Sequence, residues 1–189
     1  MPVGPITQAA INIVSAPQTV LSQKLNNADD AFASNNSGDS KVTELEAKLK
    51  KAESIDAYFR SRSMPLHGLG MKMVEEAEKN NLDWRILAAI AVRESTGGKF
   101  ACKKATHNPF GWGSCKINFK SNHEAIETVA RNLGGNNPRT AKHYANKNVT
   151  QILRAYNPPS IIPRYAEQVI AIMNAIGTTE VTATVKTNT

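Results

Sequence analysis

Glu94 ends the most apolar run in the chain, WRILAAIAVRES, just where the sequence breaks into Ser, Thr and two glycines. On a helix, the positions three, four and seven before it are Ala91, Ile90 and Leu87, so its carboxyl projects from an apolar face. Desolvation there favours the protonated acid, and each pKa unit of rise costs the ionised form about 1.4 kcal/mol. A carboxyl that keeps its proton near neutral pH at the rim of a cleft meets the requirement for a general acid. The competing reading is an ordinary helix-end glutamate, paired in solvent with Arg93 or Lys99.

The segment NPFGWG gives the acid a second wall. Gly111 and Gly113 let the backbone turn sharply or approach a ligand closely. Phe110 and Trp112 offer flat apolar faces, and the indole adds an N–H donor. Phe110 is equally suited to plugging the core, whereas Trp112 is expected to be exposed. Ser95 and Asn108 either orient the acid or a bound ligand, or act as cap and turn residues.

Other chemistries find less support. His67, His107, His123 and His143 lack HExxH or any paired metal spacing, so no metal is expected. GLGMKM lacks the lysine-serine ending of a phosphate-binding loop, and no cofactor is expected. Cys102 and Cys115, the only cysteines, have no CxxC partner and make a poor zinc site. In a reducing compartment they would be thiols; in an exported protein they could close a loop, contributing about 3 kcal/mol.

The elements that must position these residues read as helices. Residues 1 to 40, ending in SNNSGDS, are expected to be a disordered tail or linker. TELEAKLKKAESIDAYF opens with a capping-box pattern, Thr43 to Glu46, and spaces Leu45, Leu49, Ala52 and Phe59 at helical intervals. This leading helix, within residues 41 to 60, has a thin seam that also suits a coiled-coil contact through residues 43 to 59. A further helix should place Met71, Val74 and Ala77 inward and Glu75, Glu76 and Lys79 outward. Asp83 is placed to cap the apolar helix that carries Glu94. The next twenty-five residues predict loop or short strand. Helices resume with a capping box at Ser121 and Glu124 and a stop at Gly134, then over NVTQILRAY and RYAEQVIAIMNAIG, the last turning Ala166, Val169, Ile170 and Met173 inward. The fold class is therefore mainly α, one domain over residues 61 to 178 with a loop-rich site, followed by a flexible tail at 179 to 189.

The formal charge of +7 is uneven: residues 1 to 83 carry nine Lys/Arg against eleven Asp/Glu, and residues 84 to 189 carry fourteen against five. A basic C-terminal part favours a polyanionic partner, whether nucleic acid, anionic membrane or acidic wall polymer. No stretch approaches the length of a transmembrane helix. ITQAAINIVSA is only mildly apolar, with no Lys or Arg before Lys24, and AFA at residues 31 to 33 lacks a convincing apolar stretch before it, so no export signal is clearly legible.

The order RESTGGK, NPFGWG, RAYNPP and RYAEQV, over about residues 66 to 177, resembles the lysozyme-like superfamily of bacterial peptidoglycan hydrolases, particularly lytic transglycosylases and glucosaminidase-type wall hydrolases. The resemblance implies a lysozyme-like helical domain with Glu94 as catalytic acid, followed by Ser95, and with Tyr156 and Asn157 brought beside it. It implies peptidoglycan glycan strands as substrate, with acidic wall polymers as further partners, a monomer acting outside the cell or at the wall, and no nucleic-acid partner. Phe110 and Trp112 would then face sugar rings, and Ser95 or Asn108 an N-acetyl group. NPFGWG departs from the Gly-Leu-Met-Gln segment of lytic transglycosylases and is closer to the NLFG-like segment of glucosaminidases, and Pro158 and Pro159 replace the small residues expected after AYN. Glycosidases with two carboxylates need the second within about 5 to 9.5 Å. After Asp83 the remaining candidates are Glu124, Glu127, Glu167 and Glu180, and helix caps, helix faces and the tail account for them. A single-acid reaction, completed by the sugar's own N-acetyl or 6-hydroxyl group, fits best; Glu124 or Glu127 as second carboxylate is the alternative. A wall-binding module without catalysis is the competing function, and a helical nucleic-acid binder the third.

Overall fold

The computed structural model describes residues 36–178. The expected tails at 1 to 35 and 179 to 189, with the AFA site, lie outside the described residues. The chain divides into two units, Met1–Ser40 and Lys41–Thr189, and the core and cleft described below belong to the second. Among the described residues there are seven helices and no strand: α1 (Asn36–Arg60), α2 (Gly70–Lys79), α3 (Ile86–Ser95), α4 (Asn122–Leu133), α5 (Ala141–Tyr144), α6 (Val149–Tyr156) and α7 (Tyr165–Gly177). None of these is long and apolar enough to cross a membrane.

α1 begins earlier than its sequence predicts. Residues 36–40, expected in the disordered tail, are helical, and Thr43 lies inside the helix rather than capping it. Extending an existing helix is far easier than nucleating one, so a polar stretch without proline can be carried along. Its two halves differ: Val42, Leu45 and Leu49 face solvent, whereas Ala52, Ile55, Tyr58 and Phe59 are buried in the core. α2 starts hard against that buried half, since a Cβ on Gly70 would lie 2.3 Å from the Ala52 carbonyl oxygen.

In α2, Val74 and Ala77 are buried as expected, while Met71 is only partly so and Met73 takes the inward place. Glu76 corrects its expected outward position. It is 6% exposed, and its carboxylate accepts from Lys72 at 3.1 Å, a lysine that also bridges to Glu127 of α4. The packing of α4 over α2 covers a face that the α2 sequence leaves polar, and the ion pair compensates the burial.

α3 is buried from Ile86 through Ala91, as a helix apolar on every side must be. Asp83 starts the turn that leads into it: Oδ1 accepts the Arg85 N–H at 2.9 Å and the carboxylate chelates the Arg85 guanidinium at 2.9 and 2.7 Å. The α-helix proper begins only at Ile86. Ser121 caps α4 by accepting from Glu124 N at 3.2 Å, but Glu124 reaches back to the Lys120 N–H instead of completing the box on Ser121. α6 carries a full capping box between Asn148 and Gln151. α7 buries Tyr165, Ala166, Val169, Met173 and Ile176 and packs mainly on α3; Ile170 is partly exposed. Between α3 and α4, residues 96–121 form turns and loop, as the glycines and proline predict.

Candidate active site

The end of α3 is shaped to hand the chain to the loop. Thr96 adopts left-handed geometry (φ 53), and the Thr96 and Gly97 N–H groups close on the Val92 and Ala91 carbonyls at 2.8 and 3.1 Å. Buried Ser95 then ties helix to loop: its hydroxyl accepts from the Gly98 N–H at 3.0 Å and lies 2.7 Å from the Pro109 carbonyl, with the Ala91 carbonyl at 3.0 Å. Asn108 is fully buried and organises the next turn. Its amide donates to the Trp112 and Ile117 carbonyls at 2.9 and 3.0 Å and its oxygen accepts the Trp112 N–H at 2.9 Å. Phe110 is 0% exposed. These three residues, candidates for ligand contact, are internal braces of the loop instead, because their polar atoms or ring faces are already satisfied within the protein.

A bond between Cys102 and Cys115, with Cα atoms 5.5 Å apart, closes the same loop. It encloses Asn108 to Gly113, so the covalent link and the Asn108 turn hold one segment in place. Gly111 comes to rest over the acid: a Cβ there would lie 3.2 Å from Glu94 Oε2, and φ is +64. A side chain would crowd the carboxyl and strain the backbone.

Glu94 lines a cavity of about 550 Å³ and is the one carboxylate among its lining residues. The loop contributes one wall, through Trp112 and Gly113; Thr140, His143 and Tyr144 of the α5 region contribute another, and Tyr156, Asn157 and Ile161 a third. Burial pushes the Glu94 carboxyl above its ordinary value, against a hydrogen bond from Tyr165 and the nearby Arg93 charge, which pull it down. Its seat at the C-terminal end of α3 disfavours the anion further. The Tyr165 hydroxyl donates to Glu94 Oε1 at 2.6 Å. Burial and the neighbouring Glu94 charge hold that phenol far above its ordinary range, so it remains a donor.

Aromatic rings support the pair from below. Tyr156 stacks on Tyr165 with centroids 5.9 Å apart and planes at 12°, and Trp112 packs on Tyr156 at 5.8 Å and Tyr144 at 6.5 Å. The Tyr156 hydroxyl donates to the Phe110 carbonyl, joining α6 to the loop. Burial raises the Tyr156 phenol well above its usual value. Asn157 lines the cavity, and its Oδ1 is buried without a hydrogen-bond partner among the described residues.

The structure thus brings Glu94, Trp112, Tyr156 and Asn157 to one cavity. Tyr165 and the α5 residues were missed by sequence reasoning. Tyr165 stood within RYAEQV at the head of an apolar helix, but nothing local says which helix end faces Glu94. Glu124 and Glu127 line a separate cavity of about 320 Å³ with Glu76 and Arg131, so neither joins Glu94 as a second carboxylate. Among the described residues, no group of three His, Cys, Asp or Glu is gathered to hold a metal. Comparison of the chain with protein-family models, with curated proteins and with solved structures returns no match.

Proposed function

We propose that the chain is a lysozyme-like enzyme that cleaves peptidoglycan glycan strands between N-acetylmuramic acid and N-acetylglucosamine, as a lytic transglycosylase or an endo-β-N-acetylglucosaminidase. The observation that carries this reading is the single half-buried carboxyl in the cavity, held by Tyr165 and biased towards its protonated form. Glu94 gives its proton to the glycosidic oxygen as the bond to C1 breaks. An oxygen of the same sugar closes on C1 in place of a protein nucleophile. If this is the 6-hydroxyl, its proton passes to Glu94 and an anhydro end is left. If it is the N-acetyl oxygen, water later opens the ring with Glu94 as base. Either route needs one protein carboxylate, in keeping with the residues around the cavity. Trp112 offers a sugar ring an apolar face. The place of action is the wall outside the cytoplasm, where a Cys102–Cys115 bond persists.

A wall-binding module in which Glu94 only hydrogen-bonds sugar is the second reading, favoured by the same absence of another carboxylate in the cavity. Mass spectrometry of fragments released from purified peptidoglycan by the wild type and by Glu94→Gln separates the two. Fragments one water short, absent with the variant, identify a transglycosylase, and reducing-end N-acetylglucosamine or N-acetylmuramic acid identifies a glucosaminidase or a muramidase respectively. No fragments from several wall types, with sacculus binding retained by both proteins, identify the module.

A further inference from the structure

The chain turns the wrong way after Trp112. Gly113, Ser114 and Cys115 are left-handed in succession, with φ of 62°, 55° and 58°. In that conformation Cβ crowds the following carbonyl, so Ser114 and Cys115 hold it at a cost that glycine escapes. The turn nevertheless belongs to the cleft, because Gly113 and Ser114 line the cavity that contains Glu94. It also grips the cover of the acid: the Cys115 N–H donates to the Gly111 carbonyl at 3.3 Å, and Gly111 is the residue that rests against Glu94 Oε2. Asn108 fixes Trp112 before the turn and Ile117 after it. Within it, the Lys116 N–H closes on the Gly113 carbonyl at 3.1 Å. Among the described residues, no side chain of 113–116 makes a hydrogen bond or ion pair, so the bond from Cys115 to Cys102 is what ties the strained turn down. That bond is within reach of solution, with Cys115 exposed and Cys102 half-buried. Each cysteine is followed by a lysine, Lys103 or Lys116, and a neighbouring ammonium favours the thiolate that attacks or leaves in disulfide exchange.

We infer that Cys102 and Cys115 are a redox switch that assembles the cleft. As a dithiol, in the reducing compartment where the chain is made, the turn relaxes out of its left-handed form, releases the Gly111 carbonyl and loosens the wall over Glu94. Oxidation outside that compartment closes the link and sets the wall. Closure consumes a disulfide-bearing oxidant. The exposed Cys115 thiolate attacks one of its sulfurs and expels a thiolate; the Cys102 thiolate then attacks the Cys115 sulfur of the mixed disulfide and expels the second. The chain gives up two electrons and two protons, and the oxidant leaves as two thiols. That the assembled cleft cuts glycan rests on the glycosidase reading; the switch itself does not.

The test equilibrates the wild type in glutathione buffers, from the poise of a cytoplasm to that of an oxidising exterior, and counts closed chains by thiol alkylation and mass spectrometry. At the cytoplasmic poise most chains should be open, with kcat/KM on purified peptidoglycan at least about tenfold below that of closed chains. Activity should return on reoxidation, and far-UV circular dichroism should stay constant throughout. A link that remains closed at the cytoplasmic poise, or open chains within about twofold of closed ones, overturns the inference. Loss of helix on opening assigns the bond to global stability and overturns it too. Two variants test the turn. Cys102→Ala/Cys115→Ala should match the reduced wild type, and Cys102→Ala/Ser114→Gly/Cys115→Gly, whose glycines accept the left-handed form without the link, should regain about threefold or more. Equal activity of the two overturns the inference. Sacculus binding by Glu94→Gln, open and closed, repeats the comparison without turnover, and binding indifferent to the link overturns the switch. If the wild type releases no fragments in either state while this binding still follows the link, the glycosidase reading fails and the switch stands.

Discussion

Glu94 and Tyr165 form a pair in which each sets the other's proton. Replacing Glu94 with Gln keeps an oxygen for Tyr165 to donate to, yet removes the transferable proton, so turnover should fall by about 10²- to 10⁴-fold. Stability should move the other way. Because burial raises the folded-state pKa, ionising Glu94 costs the native state increasingly as pH rises from the ordinary carboxylate range through the raised value, and the cost is constant above it. Thermal melts should therefore show Glu94→Gln more stable than wild type at pH 7, with the gain disappearing below the ordinary carboxylate range. Tyr165→Phe removes a hydrogen bond that favours the anion, so the Glu94 pKa should climb further. The alkaline limb of the kcat–pH profile should shift upward while kcat drops about tenfold, and an unmoved limb would leave Tyr165 as packing alone. The acid was legible because local spacing aims it from an apolar face. Its partner was not, since the two lie seventy-one positions apart and meet only once α7 has docked on α3.

At the scale of elements, the loop between α3 and α4 has no helix or strand to stiffen it, and its order rests on Ser95, Asn108 and the Cys102–Cys115 link. Opening that link by Cys102→Ser/Cys115→Ser should lower the unfolding free energy by about 3 kcal/mol in urea titrations. KM should rise as well, because Gly111 and Trp112 lose their fixed place. The approach of α2 to α1 makes a second prediction: Gly70→Ala should destabilise by about 1–3 kcal/mol, measured by denaturant midpoint, because the added methyl meets backbone oxygen. Helix positions were readable from apolar spacing and caps, as at Ser121 and Gly134. The start of α1 was not, because its capping pattern at Thr43 competes with propagation. α5 is too short for a periodic signal. The inward turn of Glu76 depended on α4, which the α2 sequence does not describe.

For the molecule as a whole, the helical class followed from successive helical spacings and caps, but the membership of α1 did not. It was expected as a leading helix ahead of the domain, with a thin seam suited to a coiled-coil contact, whereas Ile55 and Phe59 are both 0% exposed. Phe59→Ala should cost about 3–5 kcal/mol in equilibrium unfolding; a loss below about 1 kcal/mol would mean that α1 docks only loosely. The ring cluster that supports Glu94 has a further, optical use. The chain has two tryptophans, Trp84 and Trp112, and only the second lines the cavity, against Tyr144 and Tyr156. A Trp84→Phe variant would leave one indole, and its emission would report occupancy of the cleft without any added label.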